Sequence, residues 1–301
     1  MKNFAWLLLS FLILAAIYAL TGPEIALHNL NFTSIAVAEL ALLSSIWAWG
    51  IAWGFILGLT PKQALKSNTR AMLGIFAPLG FGADAIRAME GKRYGLRKRE
   101  SISASFIVKL FKFLLMLLFL GFSILLLKTL SIEPGQQISL FIGAIVFTSL
   151  GILFIIAASM PDIARLIGKK FKKSTLLDFQ QELYNQLKQM SLKKSIQLTL
   201  ILLASSLLEI TAVLFTFDAI SRPVTSIHAF IYSAISHSLA LITVTPQGLG
   251  FVETGSYLVL QSGFFSFPAK AIGLFIILWA IIRIWVPSLL GLASYKLLRH
   301  D

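Results

Sequence analysis

The sequence contains no cysteine, and only 13% of its 301 residues are charged. The first absence excludes disulfide bonds, thiol chemistry and thiolate metal sites. The second excludes an ordinary soluble domain, in which about a quarter of the residues are charged. Acidic residues are the scarcest charged type, with 13 Asp and Glu against 26 Lys and Arg. The chain is instead 57% hydrophobic with a mean hydropathy of +0.84, a composition typical of a polytopic membrane protein.

Long apolar runs account for this composition. A membrane-spanning helix needs about 20 mostly apolar residues, and six runs in the sequence meet this requirement. Two other stretches, Ala64–Met89 and Thr225–Phe267, are also apolar but are interrupted by Pro and Gly. Each of these is predicted to form two half-length helices joined by a turn, because broken backbone is tolerated at membrane depth only inside protein or beside a wet cavity. The expected fold is all-α, a single transmembrane domain over 1–301 with about six full spans and two re-entrant helical hairpins. The predicted spans are Phe4–Leu20, Phe32–Leu59, Phe106–Leu127, Ile138–Ser159, Ile196–Phe217 and Pro268–Leu298.

The basic residues predict the orientation. Thr60–Glu100 contains nine Lys and Arg and Met160–Ser195 contains eight, whereas the alternate loops contain almost none. The positive-inside rule therefore places these two loops and both termini in the cytoplasm, for a multi-pass protein of the cell (plasma or inner) membrane. With this orientation Thr225–Phe267 enters and leaves from the outer side, and Ala64–Met89 can enter from the cytoplasm. An amphipathic helix pair on the membrane surface is the alternative for Ala64–Met89.

The two predicted hairpin tips resemble each other. Both read Pro-x-Gly-x-Gly followed by a carboxylate, with an offset of 168 residues between Pro78 and Pro246. This offset also aligns the flanking spans, so residues 32–130 and 196–298 are predicted to be two inverted-topology repeats, as in secondary transporters. The segment 138–195 is predicted to be a linking span followed by a cytoplasmic amphipathic segment. The tips are candidate substrate-binding elements, with Pro78, Gly80, Gly82, Asp84 and Arg87 in the first and Thr245, Pro246, Gly248, Gly250 and Glu253 in the second.

Such tips suit a ligand site because glycine lets the backbone approach a ligand closely. A helix that begins after the turn also points free N–H groups at an anionic group. The alternative is that the glycines only allow close packing of helices. Asp84 and Arg87 are one helical turn apart and are expected to pair with each other.

These same residues resemble a known family. The run from Pro78 to Arg87, followed by a basic stretch and an apolar helix, is similar to the first signature of the lysylphosphatidylglycerol synthase transmembrane (flippase-like) family. The run Thr245–Glu253 is similar to the second, with Gln247 where a glycine is common. The resemblance implies movement of a phospholipid across the bilayer. Two-domain members carry a soluble aminoacyl-transferase domain after the helices, and since this sequence runs to Asp301 without one, it resembles the free-standing members.

Ionisable residues within the apolar runs are further candidates, because charge in hydrocarbon is costly. Arg283 lies near the middle of the last span and is a candidate ligand of a substrate phosphate, which a guanidinium suits. Glu253 and Glu209 are candidate partners of Arg283 or acceptors of a cationic headgroup, and His237 is a candidate for proton coupling. Lys109 and Lys112 are expected to extend toward the membrane interface.

The favoured function is a lipid flippase or translocase that moves a phospholipid, or another lipid with a phosphate headgroup, between leaflets by alternating access. The alternatives are a membrane-embedded enzyme acting on lipid-linked phosphate and a transporter of small solutes or ions. No Ser-His-Asp pattern, metal-ligand spacing or nucleotide-binding motif is present, so the expectation is a non-enzyme without cofactor or metal. Expected partners are the substrate lipid and anionic inner-leaflet lipids, but no nucleic acid, and a homo-oligomer stays open. An amphipathic helix with basic flanks is predicted at Leu176, Phe179, Leu183, Leu187 and Met190, either on the inner leaflet or packed on the protein itself.

Overall fold

The computed structural model describes residues 30–76, 81–127, 174–242, 251–262 and 265–297, with a few isolated positions before residue 23. Within these ranges the secondary structure is helical, without strands. The helices are α1 Phe32–Ile56, α2 Pro61–Ala71, α3 Phe81–Lys92, α4 Lys98–Leu127, α5 Ser174–Gln189, α6 Leu192–Ala219, α7 Ser226–Ile242, α8 Phe251–Gln261, α9 Ala269–Ala280 and α10 Val286–Leu297. A short 3₁₀ segment, Met72–Phe76, follows α2, and a π-helical turn, Ile281–Trp285, joins α9 to α10.

Four of the predicted spans are confirmed as long apolar helices: Phe32–Ile56, Lys98–Phe119, Leu192–Ala219 and Ala269–Tyr295. The shortest of these segments has 22 residues, about 33 Å at 1.5 Å per residue, so each is long enough for a hydrocarbon core of about 30 Å. The predicted span Ile138–Ser159 lies outside the described residues, as does most of Phe4–Leu20. The all-helical membrane class predicted from composition is therefore confirmed.

The interrupted stretches form pairs of shorter helices, as the sequence predicted. In the first, α2 has 11 residues and α3 has 12, each about half the length that a full crossing needs. In the second, α7 has 17 residues and α8 has 11, and a Cβ on Gly255 would lie 2.3 Å from Leu239 Cδ1, so these two helices are in close contact.

Local signals explain where α1 ends and α2 begins. Gly58 has φ +71°, a conformation that glycine adopts without strain, and the chain reverses there after the last turn of α1. Thr60 and Gln63 then form a reciprocal capping box: the backbone N–H of Thr60 donates to Gln63 Oε1 at 2.9 Å, and that of Gln63 donates to Thr60 Oγ1 at 3.3 Å. Pro61 occupies the first helical position, where its missing N–H has no cost.

The chain divides into two compact units that interleave along the sequence. The first contains Met1–Ile46, Thr69–Ala83 and Ser206–Asp301, and the second contains Trp47–Asn68 and Asp84–Ser205. In the first unit Phe217 stacks on Phe275 at 4.0 Å between ring centroids and meets Tyr232 edge-on at 5.8 Å. Large buried aromatic surfaces of this kind dominate core energetics.

In the first unit the 3₁₀ segment packs closely against α10. A Cβ on Gly291 would lie 2.4 Å from the backbone nitrogen of Leu73, so glycine is required for this approach. A Cβ on Gly74 would similarly lie 2.3 Å from the carbonyl carbon of Gly82. The backbone of the predicted tip residue Gly82 is therefore in close contact with Gly74, on the other side of the first break.

In the second unit α5 packs along α4, which supports the prediction of an amphipathic helix. Leu183 is buried in a core with Trp53 and Leu198, and Phe179 meets Phe106 edge-on at 5.8 Å. Ion pairs reinforce this packing at the start of α4, where Arg97 pairs with Glu182 of α5 and Arg99 pairs with Asp178 of α5. Gln186 of α5 adds hydrogen bonds to the Ser103 hydroxyl and to the Glu100 carbonyl. The hydrogen bond and negative charge of Glu100 raise the pKa of the exposed Arg97 above its ordinary value.

Candidate functional site

Arg283 lies at the centre of a π-helical turn in the last span. The turn covers Ile281–Trp285 and separates α9 from α10. Single π turns inside helices occur frequently at functional sites. The side chain of Arg283 is 10% exposed, so the guanidinium is buried within the first unit.

Glu253 is the acidic partner of Arg283. It lies in the first turn of α8, its side chain is 3% exposed, and Arg283 Nη2 donates to Glu253 Oε1 at 2.9 Å. The sequence offered both Glu253 and Glu209 as partners, and the structure selects Glu253. A buried pair of this kind is held together strongly because removing either member leaves an uncompensated charge.

This pair uses only part of the hydrogen-bonding capacity of Arg283. Its Nε and Nη1 atoms are buried and donate no hydrogen bond to any part of the chain that the structure describes. Unsatisfied buried donors cost about 1–3 kcal/mol each, so an acceptor at this position would stabilise the site. The arrangement is therefore suited to an anionic oxygen, which an arginine beside a carboxylate can hold without being displaced from its partner.

Hydroxyl groups lie next to the pair. The hydroxyl of Tyr232 of α7 shares a 2.7 Å hydrogen bond with Ser256 of α8, which lies one helical turn after Glu253. Ser233 and Ser236 of α7 are also buried. These polar side chains of α7 thus face protein rather than lipid. The group of Arg283, Glu253, Tyr232 and Ser256 is called the arginine site below.

Glu209 and His237 form a second contact within the first unit. His237 Nδ1 lies 3.5 Å from Glu209 Oε1, and the two side chains are 11% and 12% exposed. The contact gives the predicted proton-coupling residue a carboxylate partner, and proton coupling itself stays a prediction.

The carboxylate of the first predicted tip belongs to a closed network in the second unit. Asp84 Oδ1 accepts from Arg87 Nη1 at 2.8 Å, which confirms the predicted pairing, and Asp84 Oδ2 accepts from Lys109. Arg87 also donates from Nε and Nη2 to Asn68 Oδ1, at 2.9 and 2.7 Å. The network ties α2, α3 and α4 together, so Asp84 and Arg87 have a structural role whatever else they bind.

The expectation for the two lysines of α4 is wrong. Lys112 is 2% exposed, with its ammonium 4.9 Å from the centroid of the Trp49 ring and 3.3 Å from Ser205 Oγ. Lys109 bonds to Asp84 instead of extending away from the protein. Both ammonium groups find partners inside the unit, which removes the need for them to reach the interface.

Several predicted site residues lie outside the described residues: Pro78, Gly80, Thr245, Pro246, Gly248 and Gly250. Sequence reasoning missed Tyr232, Ser256 and the partnership of Lys109 with Asp84. Ser256 follows Glu253 by three residues and therefore shares its helix face, a spacing that could have indicated it. No group of metal-ligating side chains occurs among the residues that the structure describes.

The apolar helices and the buried charges between them define a polytopic α-helical membrane protein. The chain belongs to the lysylphosphatidylglycerol synthase transmembrane-region family, whose model matches residues 3–291. It is also 28% identical over 153 residues to a UPF0104 membrane protein of Methanothermobacter thermautotrophicus (strain Delta H). That match covers 48% of this chain and 44% of the relative, so the chain spans less than half the length of the relative it matches.

Proposed function

We propose that this protein is a lipid translocase, which moves a phospholipid or another lipid with a phosphate headgroup between leaflets by alternating access. The observation that carries the proposal is the arginine site: a buried guanidinium with donors to spare, next to hydroxyl groups and inside an apolar helix bundle. A phosphate oxygen would satisfy these donors, and the acyl chains would stay in the bilayer. Membership of a lysylphosphatidylglycerol synthase transmembrane family supports a lipid substrate.

The order of the helices supports an inverted repeat, the architecture that alternating access uses. The tips predict an offset of 168 residues, which maps the starts of α2, α3 and α4, at 61, 81 and 98, onto 229, 249 and 266. The observed starts of α7, α8 and α9 are 226, 251 and 269, each within three residues of these positions. Under this proposal 32–130 and 196–298 are the two repeats, and each interrupted stretch is a re-entrant hairpin.

The buried ion pairs follow the same symmetry. Asp84 lies in the first turn of α3 and bonds to Lys109 of the following span, and Glu253 lies in the first turn of α8 and bonds to Arg283 of the following span. Each repeat therefore joins its second hairpin helix to the next span through a carboxylate and a cation. The pairs differ in that Asp84 is engaged by two cations, whereas Arg283 keeps unused donors. This asymmetry favours the second repeat as the one that binds the headgroup.

Reconstitution in liposomes with a fluorescent phospholipid tests the proposal. The wild-type protein should move the label between leaflets without altering it chemically. Arg283→Ala should lower the rate at least about tenfold, because it removes charged hydrogen bonds to the phosphate. Arg283→Lys should recover only part of the rate, because an ammonium lacks the planar fork. Arg222→Ala, an exposed position outside the spans, is the matched control and should transfer at the wild-type rate.

The same liposomes separate the alternatives. Chemical conversion of the lipid would favour a membrane-embedded enzyme, and ion current or solute uptake without lipid transfer would favour a small-solute or ion transporter. Wild-type transfer by a folded Arg283→Ala variant would remove the arginine site from the mechanism.

A further inference from the structure

A small open pocket lies in the second unit where three helix ends meet. The end of α1, the end of α5 and the start of α6 form its walls. The wall formed by α1 is apolar, the wall formed by α5 is chiefly polar, and the wall formed by α6 is basic. Its lining residues are Phe55, Ile56, Gln186, Gln189, Met190 and Lys194.

The charge around this pocket is positive. Lys188, Lys193 and Lys194 are exposed, and none of them forms an ion pair within the part of the chain that the structure describes. The two acidic residues of α5 on the docked face, Asp178 and Glu182, are already paired with Arg99 and Arg97. Such a cluster attracts anions and is not neutralised by its own helix.

Apolar side chains are also exposed on the first turns of α6. Leu192 is 79% exposed and Ile196, one turn further along α6, is 52% exposed. Helix α6 has 28 residues, about 42 Å, which matches the full thickness of a bilayer with its headgroups and exceeds the hydrocarbon core. Its first turns therefore reach the level where acyl chains meet headgroups, the environment that suits leucine and lysine side by side.

One wall of the pocket is fixed in position. Gln186 accepts a hydrogen bond from the Ser103 hydroxyl and donates to the Glu100 carbonyl at 3.1 Å. This holds the end of α5 against α4. Lys194 and Gln189 remain exposed and can turn toward a ligand without breaking any contact of the described chain.

We propose that this pocket binds the headgroup of an anionic phospholipid. The ammonium of Lys194 contacts the phosphate, Lys193 and Lys188 add long-range attraction, and the acyl chains lie in the adjoining bilayer. The lipid is a resident partner of the α5–α6 corner and not the transported cargo. The inference does not rest on the proposed function, because binding can be measured without transfer.

Titration of the detergent-solubilised full chain with fluorescent phosphatidylglycerol tests this inference. A basic residue near an anionic headgroup contributes about 1 kcal/mol, so Lys194→Gln should weaken binding about fivefold and Lys193→Gln with Lys194→Gln still more. Lys62→Gln, an exposed lysine of α2 that does not line the pocket, is the matched control and should bind as the wild type does. Met190→Trp, which fills the pocket without changing charge, should weaken binding too.

Two comparisons decide whether the ligand is a lipid and whether its charge matters. Fluorescent phosphatidylcholine should bind several-fold more weakly, and millimolar inorganic phosphate should not displace the phosphatidylglycerol. Equal affinity for both lipids, or no change in either Lys194→Gln or Met190→Trp, would overturn the proposal. Complete displacement by inorganic phosphate would also overturn it, since the site would then recognise a free anion.

Discussion

Arg283 and Glu253 are both buried inside an apolar helix bundle, and each compensates the charge of the other. The pair contributes little net stability compared with an apolar replacement, because both groups were removed from water to form it. What it provides instead is a guanidinium held at a defined position with donors free for a ligand. We therefore expect the pair to contribute more to the rate of lipid transfer than to the free energy of unfolding.

A double replacement separates these two contributions. Arg283→Met alone should destabilise the protein by about 3–5 kcal/mol, because the buried carboxylate of Glu253 loses its cation. Glu253→Gln combined with Arg283→Met should recover most of this stability and still fail to transfer lipid. Thermal unfolding followed by intrinsic fluorescence, together with the liposome assay, measures both effects. If the double variant is as unstable as Arg283→Met alone, the loss of stability does not come from the unpaired carboxylate of Glu253.

Asp84 differs from the exposed carboxylates because it is buried between two cations. Asp84→Asn should destabilise the protein by about 3–5 kcal/mol, since Arg87 and Lys109 then lose their common anion. The matched control is Asp178→Asn, whose carboxylate is 63% exposed and 3.3 Å from Arg99, where a loss of about 0–1 kcal/mol is expected. Similar losses of stability in the two variants, measured by thermal unfolding, would contradict the structural role of the network.

The charged members of the arginine site were predicted from the sequence, and the hydroxyl members were not. A charge in an apolar run is rare enough to be informative by itself, which identified Arg283 and Glu253. Tyr232 and Ser256 have no such signal, because hydroxyl groups also serve as ordinary helix-packing residues. The wrong expectation for Lys112 has the same origin: burial over Trp49 depends on tertiary contacts that helical periodicity does not contain.

At the level of elements, the observed helix ends agree with the turn and capping signals in the sequence. The predicted range Phe32–Leu59 corresponds to α1 at Phe32–Ile56. The helix ends earlier than predicted because the chain turns at Gly58 and the capping box of the next helix follows. The predicted Ile196–Phe217 became α6 at Leu192–Ala219, longer because hydropathy does not count the polar first turn. Helix breaks at Pro and Gly were predictable, whereas the packing of the 3₁₀ segment against α10 was not.

That packing leads to a prediction about Gly291. Gly291→Ala places a methyl group 2.4 Å from the Leu73 backbone nitrogen, and because backbone cannot turn aside, the 3₁₀ segment must move. Overpacking of this kind costs about 1–3 kcal/mol, and thermal unfolding should show it. Gly91→Ala is the matched control, since its nearest neighbour would be Ser101 Oγ at 3.4 Å, an ordinary contact. Equal stability of the two variants would contradict the close approach.

At the level of the whole molecule, the surplus of basic residues predicts the orientation. The segments Thr60–Glu100 and Met160–Ser195 contain 17 of the 26 Lys and Arg, and the positive-inside rule predicts that both face the cytoplasm. Under this prediction the net charge of +13 reflects chiefly the orientation of the protein in the membrane.

Because the chain has no cysteine, single cysteines can report this orientation without background. Lys62→Cys should react with a membrane-impermeant maleimide only after the cells are permeabilised. Arg222→Cys, which is exposed and follows α6, should react in intact cells. The reverse pattern would show that the termini and the basic loops face outward, and labelling of both from one side would require a different number of crossings.

The π-helical turn means that the last span contains one residue more than a regular α-helix would need. Deleting a single residue such as Ile281 would convert the turn to regular α-helix, so that α9 and α10 keep their packed faces while the residues of the turn take new directions. Arg283 would then point away from Glu253, although the sequence around it and the hydropathy of the span were almost unchanged. The direction of the guanidinium is therefore encoded in helical phase, and a shortened protein that folds but transfers as poorly as Arg283→Ala would demonstrate it.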